Sequence, residues 1–78
     1  MNASWIRDVD EFEELLDQCS GKVELVSKEG DRVDLKGRMG QYLSLASMIS
    51  NGYISALSLE AKDPADAALL AAASKNAN

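Results

Sequence analysis

The residue types that most often perform chemistry in proteins are scarce in this chain. Its 78 residues include no His and one Cys. Without an imidazole the chain lacks the general base of Ser–His and Cys–His nucleophile arrangements, and the usual acid or base near neutral pH. One thiol alone forms no intramolecular disulfide and supplies too few ligands for structural zinc, haem or an iron–sulfur cluster. The composition therefore predicts a protein that is not an enzyme and holds no cofactor or metal.

The one thiol belongs to a predicted helix. Apolar residues recur there at helical spacing: Phe12, Leu15, Leu16 and Cys19. Asp10 with Glu13 is typical of a capping box at the start, and Gly21 predicts a left-handed cap at the end. Cys19 lies on the apolar stripe with no cationic residue near it in sequence, so we expect a buried, inert thiol rather than a reactive one.

The net charge of −5 is concentrated at the start of the chain. Residues 1–17 hold one base, Arg7, and the following acids: Asp8, Asp10, Glu11, Glu13, Glu14 and Asp17. Such a chain repels phosphate backbones, so we expect no nucleic-acid partner. The acids indicate either a solvated helix face biased toward the helix N-terminus or a docking face for a basic partner.

The start of the sequence is acidic where a secretory signal would be basic and apolar. No apolar run approaches the roughly 20 residues that span a bilayer. We therefore expect a soluble cytoplasmic protein with no membrane partner.

The rest of the chain alternates between strand and helix periods. Residues 22–27 and 32–36 flank a turn with Gly30 and predict a hairpin with one face in the core and one in water. A second helix ends at Asn51–Gly52, and its apolar positions are Met39, Tyr42, Leu43, Ala46 and Ile49. Residues 53–61 alternate as an interior strand would, and residues 4–7 predict a short first strand.

Asp63–Pro64 is the clearest helix start in the sequence, because Asp caps and Pro is suited to the first helical position. The apolar face of this third helix is predicted to be Ala65, Ala68, Leu69 and Ala72, with a frayed tail at about 75–78. The element order is therefore βαββαβα within a single domain, 1–78. It predicts an α+β open-faced sandwich, with a four-stranded, mainly antiparallel sheet and three helices on one face.

The segment between the third predicted strand and the second helix carries a short motif. It reads Leu35-Lys36-Gly37-Arg38-Met39-Gly40. With the element order, this motif resembles the L-K-S-x-M-G stretch of HPr, the phosphocarrier protein of bacterial sugar phosphotransferase systems. The similarity runs from about Phe12 to Ala72. The resemblance implies an HPr-like open-faced sandwich of four strands and three helices, which agrees with the order above.

This chain departs from the HPr-like family at both family phosphorylation sites. The resemblance implies that a phosphoryl group passes from enzyme I to a His before the first helix, and then to a sugar-specific transporter component. That His and its loop are missing here, and Asp8, Asp10 and Glu11 would repel a phosphate at that place. The second phosphosite of the family is the Ser of the motif, which a kinase phosphorylates in Gram-positive relatives. In this chain Gly37 occupies that position. We expect neither phosphorylation to occur at its usual residue.

The resemblance also implies an apolar partner-binding patch on the second helix. In this chain the patch corresponds to Met39 and, by position, to Tyr42. The patch residue before Met39 is Arg38 here, and this difference predicts a changed partner. Met39 and Tyr42 either face that partner or pack onto the sheet, and we expect Leu43 to pack onto the sheet. The first hypothesis is an HPr-like binding or regulatory module without phosphotransfer activity. Its partner would be a transport-system or regulatory protein, with a link to sugar phosphotransferase or carbon regulation.

Two other functions remain open. Ser44 and Ser47 could be modified in a carrier or kinase substrate, although a small polar helix face is the favoured explanation for them. Acyl carrier proteins are also short and acidic, but the hairpin and the absence of their Asp-Ser-Leu attachment site argue against that class. The third possibility is a structural module that only self-associates, and we expect a monomer or a weak homo-oligomer.

Overall fold

A computed structural model of the protein describes residues 1–36 and 40–77. Within these residues the chain forms three α-helices, one 3₁₀ helix and three β-strands. In chain order they are α1 (Val9–Asp17), β1 (Val23–Val26), β2 (Arg32–Asp34), α2 (Gly40–Ser50), the 3₁₀ helix (Tyr53–Ala56), β3 (Ser58–Ala61) and α3 (Pro64–Asn76). The predicted α+β class is confirmed.

The strands form one antiparallel sheet in the order β2-β1-β3. Leu25 in the central strand pairs with Val33 on one side and with Leu59 on the other. The predicted hairpin is confirmed as β1 and β2, and Gly30 in its turn has a φ of 90°, which a residue with a side chain rarely adopts. The local alternation therefore identified this part of the sheet correctly.

The predicted first strand, 4–7, is wrong, and the described sheet has three strands instead of four. The side chain of Asn2 accepts a hydrogen bond from the Ser4 amide at 2.8 Å, and the Ile6 amide donates to the Ala3 carbonyl at 3.1 Å. These bonds turn the chain so that Ala3 and Ile6 are both buried. Before this turn, Asn2 makes one isolated antiparallel bridge to Ser58, and the backbones of Met1 and Ala3 hydrogen-bond to Leu59 and Leu57. Contact with the sheet edge is therefore made by residues 1–3 and not by the predicted strand.

The strand predicted over 53–61 is shorter, and only Ser58–Ala61 is extended. Gly52 has a φ of 81°, and the Asn51 side chain accepts a hydrogen bond from the Tyr53 amide at 2.8 Å. The bond between this Asn side chain and the backbone competes with strand pairing and starts the 3₁₀ helix instead. The predicted end of the second helix at Asn51–Gly52 agrees with the structure.

Helix α1 begins two residues earlier than the capping pattern predicts. Asp8, not Asp10, is the N-cap, and its side chain accepts from the amides of Asp10 and Glu11 at 2.9 and 3.1 Å. Gly21 is not the left-handed cap, since its φ is not positive. A Cβ at Gly21 would lie 3.2 Å from the Asp63 Cβ, so glycine here permits close approach of α3.

The predicted apolar face of the second helix is correct at Ile49, which packs against the core, but wrong at Leu43. Leu45 is the residue at 1% exposure, with Met48 and Ile49 partly buried against the core, whereas Leu43 is exposed. Nearly every position of this helix is apolar or small, so the sequence favours no single face and tertiary packing selects one.

Helix α3 begins as predicted, with Asp63 as N-cap and Pro64 in the first turn. Its predicted face is wrong, because Ala65, Ala68 and Ala72 are exposed while Leu70 and Asp66 are buried. The Asp66 carboxylate accepts from the backbone amides of Ser20 and Gly21 at 3.0 and 2.7 Å. This carboxylate fastens the end of α1 to the start of α3.

The apolar core lies against one face of the sheet, where Val23, Leu25 and Leu59 are buried. Each α-helix contributes to the same cluster, and the contributing residues are Phe12, Leu16, Leu45 and Leu70. On the opposite face, Arg32 donates to Glu24 at 3.2 Å and to Glu60 at 3.1 Å. The predicted division of the hairpin into a core face and a polar face is thus confirmed, with Glu24 buried beneath its ion pairs.

Candidate functional site

The beginning of α2 presents an unpartnered apolar face, formed by Tyr42 and Leu43. The exposed fractions are 74% for Leu43 and 39% for Tyr42. Helix α2 is anchored from its other side, where Leu45 is buried among core residues. Rotating the helix to bury Leu43 would therefore expose Leu45. We call Tyr42 and Leu43 the α2 face.

The tyrosine of the α2 face is fixed to the first helix. The Tyr42 hydroxyl donates a hydrogen bond of 2.8 Å to a carboxylate oxygen of Asp10. This bond raises the pKa of Tyr42, since the phenolate would face the Asp10 charge, and the charges of Asp8 and Glu13 act in the same direction. The ring is therefore held in one orientation at the junction of α1 and α2.

A row of carboxylates runs along α1 from this junction. Asp10, Glu13 and Asp17 lie at i, i+3 and i+7, so they share one side of the helix. Partial burial raises the pKa of Glu13, and the neighbouring charges of Asp17 and Asp10 raise it further. The acidic row, as we call these residues, is thus a concentration of like charge beside the α2 face.

The predicted partner-binding residues are only partly located by the structure. Tyr42 is exposed and lies at the α1–α2 junction. Arg38, Met39 and the lost phosphosite Gly37 lie outside the described residues. Leu43 was expected to pack onto the sheet, and that prediction is wrong because it is the more exposed member of the α2 face.

No strong sequence signal identifies Leu43 as a surface residue. Leu43 and Leu45 are the same residue type two positions apart, and only their packing distinguishes them. Choosing Leu45, Met48 and Ile49 as the buried side would have placed Leu43 outward, since these residues lie at i, i+3 and i+4. The sequence supports that choice no better than the predicted one.

The N-terminus of α1 is occupied by its own capping side chain. The two amides that an anion would use, those of Asp10 and Glu11, both donate to Asp8. A helix N-terminus binds phosphate through such free amides and its positive dipole end. Here a carboxylate already satisfies the amides and places a negative charge at that end.

Lys36 of the motif has a structural role. Its ammonium group donates to the carbonyl oxygens of Leu16 and Cys19, at 3.0 and 2.5 Å. The Leu16 carbonyl belongs to the last turn of α1 and the Cys19 carbonyl follows the helix, so the ammonium group compensates the negative end of the helix dipole. Lys36 thereby fixes the chain after β2 against the end of α1.

The single thiol is closed off from solvent, as predicted. Cys19 is 4% exposed, and its Sγ donates to the Leu15 carbonyl at 3.6 Å. Burial raises the pKa of the Cys19 thiol, with a further contribution from Asp66 that exceeds the lowering by Lys36. A thiol that resists ionisation and contact with solvent is a poor nucleophile.

A groove of about 390 Å³ lies between α1 and the end of α3. Its apolar walls include Trp5 and Leu15, and Glu11 and Glu14 lie at its side. The Trp5 ring meets Phe12 edge to face, with ring centres 5.8 Å apart. The residues lining the groove contain no nucleophile paired with a base, so it offers no catalytic arrangement.

Within the described ranges, no three side chains of the metal-binding types come together, and no helix has the length and apolar character to cross a membrane. Comparisons of the chain with protein-family models, curated proteins and solved structures found no match.

Proposed function

We propose that this protein is an HPr-like binding or regulatory module without phosphotransfer activity, and that it docks a protein partner through the α2 face. The observation that carries the proposal is the 74% exposure of Leu43 beside a tyrosine whose hydroxyl is fixed by Asp10. Tyrosine is among the residue types that most often anchor protein interfaces, and the exposed leucine beside it adds apolar surface that a partner would bury.

The loss of phosphotransfer rests on the start of α1. The chain contains no His, and the amides that would hold a phosphate already bind Asp8. The acids that follow would repel a phosphorylated donor. Both the nucleophile and the phosphate-binding site of the family reaction are thus replaced.

The relationship to the HPr-like family is part of the proposal. The β1–β2 hairpin, the order of the helices around it and the motif at Leu35 and Lys36 support it. The described three-stranded sheet differs from the family's four strands at the N-terminal edge, where residues 1–3 hydrogen-bond to Leu57 and Leu59 without forming a strand. A partner in a transport or regulatory system follows from this relationship.

The catalytic half of the proposal is tested by incubating the protein with enzyme I and labelled phosphoenolpyruvate, with an active HPr as positive control. We expect label on the control and none on this protein. Stable phosphorylation at any residue would refute the proposal. The intact mass of protein purified from its native cell tests the carrier alternative, since modification at Ser44 or Ser47, both exposed on α2, would raise that mass.

The binding half is tested by recovering the tagged protein from its native cell as wild type, Leu43→Ala and Tyr53→Ala. Tyr53 is a matched control, because it is 51% exposed but lies beyond the far end of α2. We expect Leu43→Ala to lose the partner and Tyr53→Ala to retain it. Equal recovery of the partner by all three proteins would exclude the α2 face as the docking site.

A further inference from the structure

We propose that the α2 face and the acidic row together bind a positively charged amphipathic segment of another protein, with Lys or Arg side chains around an apolar residue. This inference rests on the proposed function and adds the chemical class of the partner. The apolar residue would contact Leu43, and the cationic side chains would contact the acidic row.

The first step is that the apolar and acidic groups form one surface. The 2.8 Å hydrogen bond from Tyr42 to Asp10 joins the two helices at the start of the row. The charge of Glu13, one turn further along α1, is near enough to act on the Tyr42 hydroxyl. Leu43 follows Tyr42 on α2, so a segment that contacts the α2 face lies beside the first carboxylate of the acidic row.

The second step is that the acidic row has no cationic partner among the described residues. All ion pairs found there lie on the polar face of the sheet, where Lys22 and Arg32 contact Glu24 and Glu60. Lys36 is engaged with the end of α1. Opposite charge brought by a partner would relieve repulsion within the row and would also steer the encounter.

The third step is that the ligand has both charge and apolar character. A purely ionic ligand would leave Leu43 in water, whereas anionic ligands such as nucleic acids and acidic lipid surfaces are repelled by the row. The α2 face is small, so the complex should be weak and sensitive to salt. A basic amphipathic peptide segment satisfies both requirements.

The test uses the full chain labelled with ¹⁵N and three synthetic amphipathic peptides. The three peptides share one pattern of Leu residues. All remaining positions are Lys in the first peptide, Gln in the second and Glu in the third. We expect the Lys peptide to shift the amide resonances of residues 10–17 and 42–47, and the Glu peptide to shift none. Raising salt from about 0.05 to about 0.5 M should weaken Lys-peptide binding by roughly tenfold or more.

A pair of double variants separates local from overall charge. Glu13→Gln with Asp17→Asn removes two of the three charges of the acidic row, while Glu11→Gln with Glu14→Gln makes the same charge change on the side of α1 that lines the groove. We expect the first pair to weaken Lys-peptide binding by roughly tenfold, equivalent to about 1.4 kcal/mol, and the second pair to have a much smaller effect. The wild-type pattern of amide resonances in each variant confirms that it is folded.

The outcomes separate this inference from the function on which it rests. Equal binding of the Gln and Lys peptides at the α2 face, or equal weakening by both double variants, would overturn the cationic partner and leave the docking surface intact. Lys-peptide binding that Leu43→Ala does not weaken would overturn the amphipathic partner. If no peptide shifts the α2 resonances, the docking surface itself is refuted.

Discussion

At the scale of single residues, three charged side chains bind backbone atoms at or near the ends of α1. Asp8 caps the start of α1, Lys36 caps its end, and Asp66 binds the turn that follows. Each is a charged group bound to backbone atoms, the kind of hydrogen bond that contributes most per contact. These hydrogen bonds give Asp8, Lys36 and Asp66 structural roles, although charged residues of these types can also serve in catalytic sites.

The hydrogen bond between Tyr42 and Asp10 makes a titration prediction. Asp10→Asn removes the carboxylate charge, so the pKa of Tyr42 should fall toward its ordinary value. Tyrosinate absorbance in a Tyr53→Phe background measures this pKa directly. Glu14→Gln is the control, because its charge is not among those that raise the Tyr42 pKa.

The same bond fixes the sign of a pH effect. Because the folded-state pKa of Tyr42 is raised, its contribution to stability is complete below the unfolded tyrosine pKa of about 10 and is lost at higher pH. Loss of stability in strong base should therefore be smaller in Tyr42→Phe than in wild type. An unchanged Tyr42 pKa in Asp10→Asn would show that the bond does not hold in solution.

Asp66→Asn should destabilise the protein by about 1–3 kcal/mol, the cost of leaving a buried polar group without its partner. The two oxygens of Asp66 serve the amides of Ser20 and Gly21 separately, and an amide has only one acceptor oxygen. Urea unfolding followed by the fluorescence of Trp5 measures the change. Glu29→Gln, the same charge change in an exposed turn, should have almost no effect.

At the scale of elements, the rotation of α2 about its axis determines that Leu43 is exposed and Leu45 is buried. Leu45→Ala should cost about 2–5 kcal/mol, since it removes a fully buried side chain and leaves a cavity. Leu43→Ala should change the free energy of unfolding by less than about 0.5 kcal/mol. The two variants differ by two positions on one helix and remove the same atoms. Similar losses of stability in thermal or urea unfolding would show that the helix is rotated differently.

The acidic row predicts that repulsion on α1 lowers stability at neutral pH. The folded-state pKa of Glu13 is raised, so its ionisation opposes folding as pH rises through its ordinary range and above. Glu13→Gln should therefore stabilise the protein at pH 7 by about 0.2–0.5 kcal/mol, the size of a helix charge pair. At acidic pH, where the carboxyl is protonated in both states, the gain should vanish. A gain that persists in acid would indicate a cause other than charge.

Some elements could be predicted from sequence because local chemistry determines them. Gly30 in a turn between alternating segments and Pro64 after Asp63 each favour one structure. The prediction failed where two local patterns were equally plausible. The strand propensity of Trp5 and Ile6 competes with the turn begun by Asn2, and the side chain of Asn51 competes with strand pairing after Gly52.

The candidate site was predictable only in part, for the same reason. Exposure of Tyr42 agrees with the predicted surface, but the exposure of Leu43 depends on which side of α2 meets the core. That choice is made by contacts with residues distant in sequence, among them Ile54 and Phe12 in the same cluster. Periodicity within an almost uniformly apolar helix contains no such information.

At the scale of the whole molecule, the described residues form one small, closely packed unit. The radius of gyration is 11.3 Å, close to the roughly 11.5 Å expected of a compact chain of this length. The core is used to hold the helices on the sheet, and the described grooves lie at the surface between helices. The proposed docking through the α2 face uses side chains that this core holds in fixed positions at the surface.

The most direct test of docking through the α2 face is site-specific photocrosslinking in the native cell. A photoreactive phenylalanine analogue replaces Leu43 in one variant and Tyr53 in the other, both exposed positions where the added ring should not disturb the core. We predict that the variant with the analogue at position 43 crosslinks to one discrete protein. The variant with the analogue at position 53 should not crosslink to that protein. Crosslinking to the same protein from both positions, or none from position 43, would contradict the account.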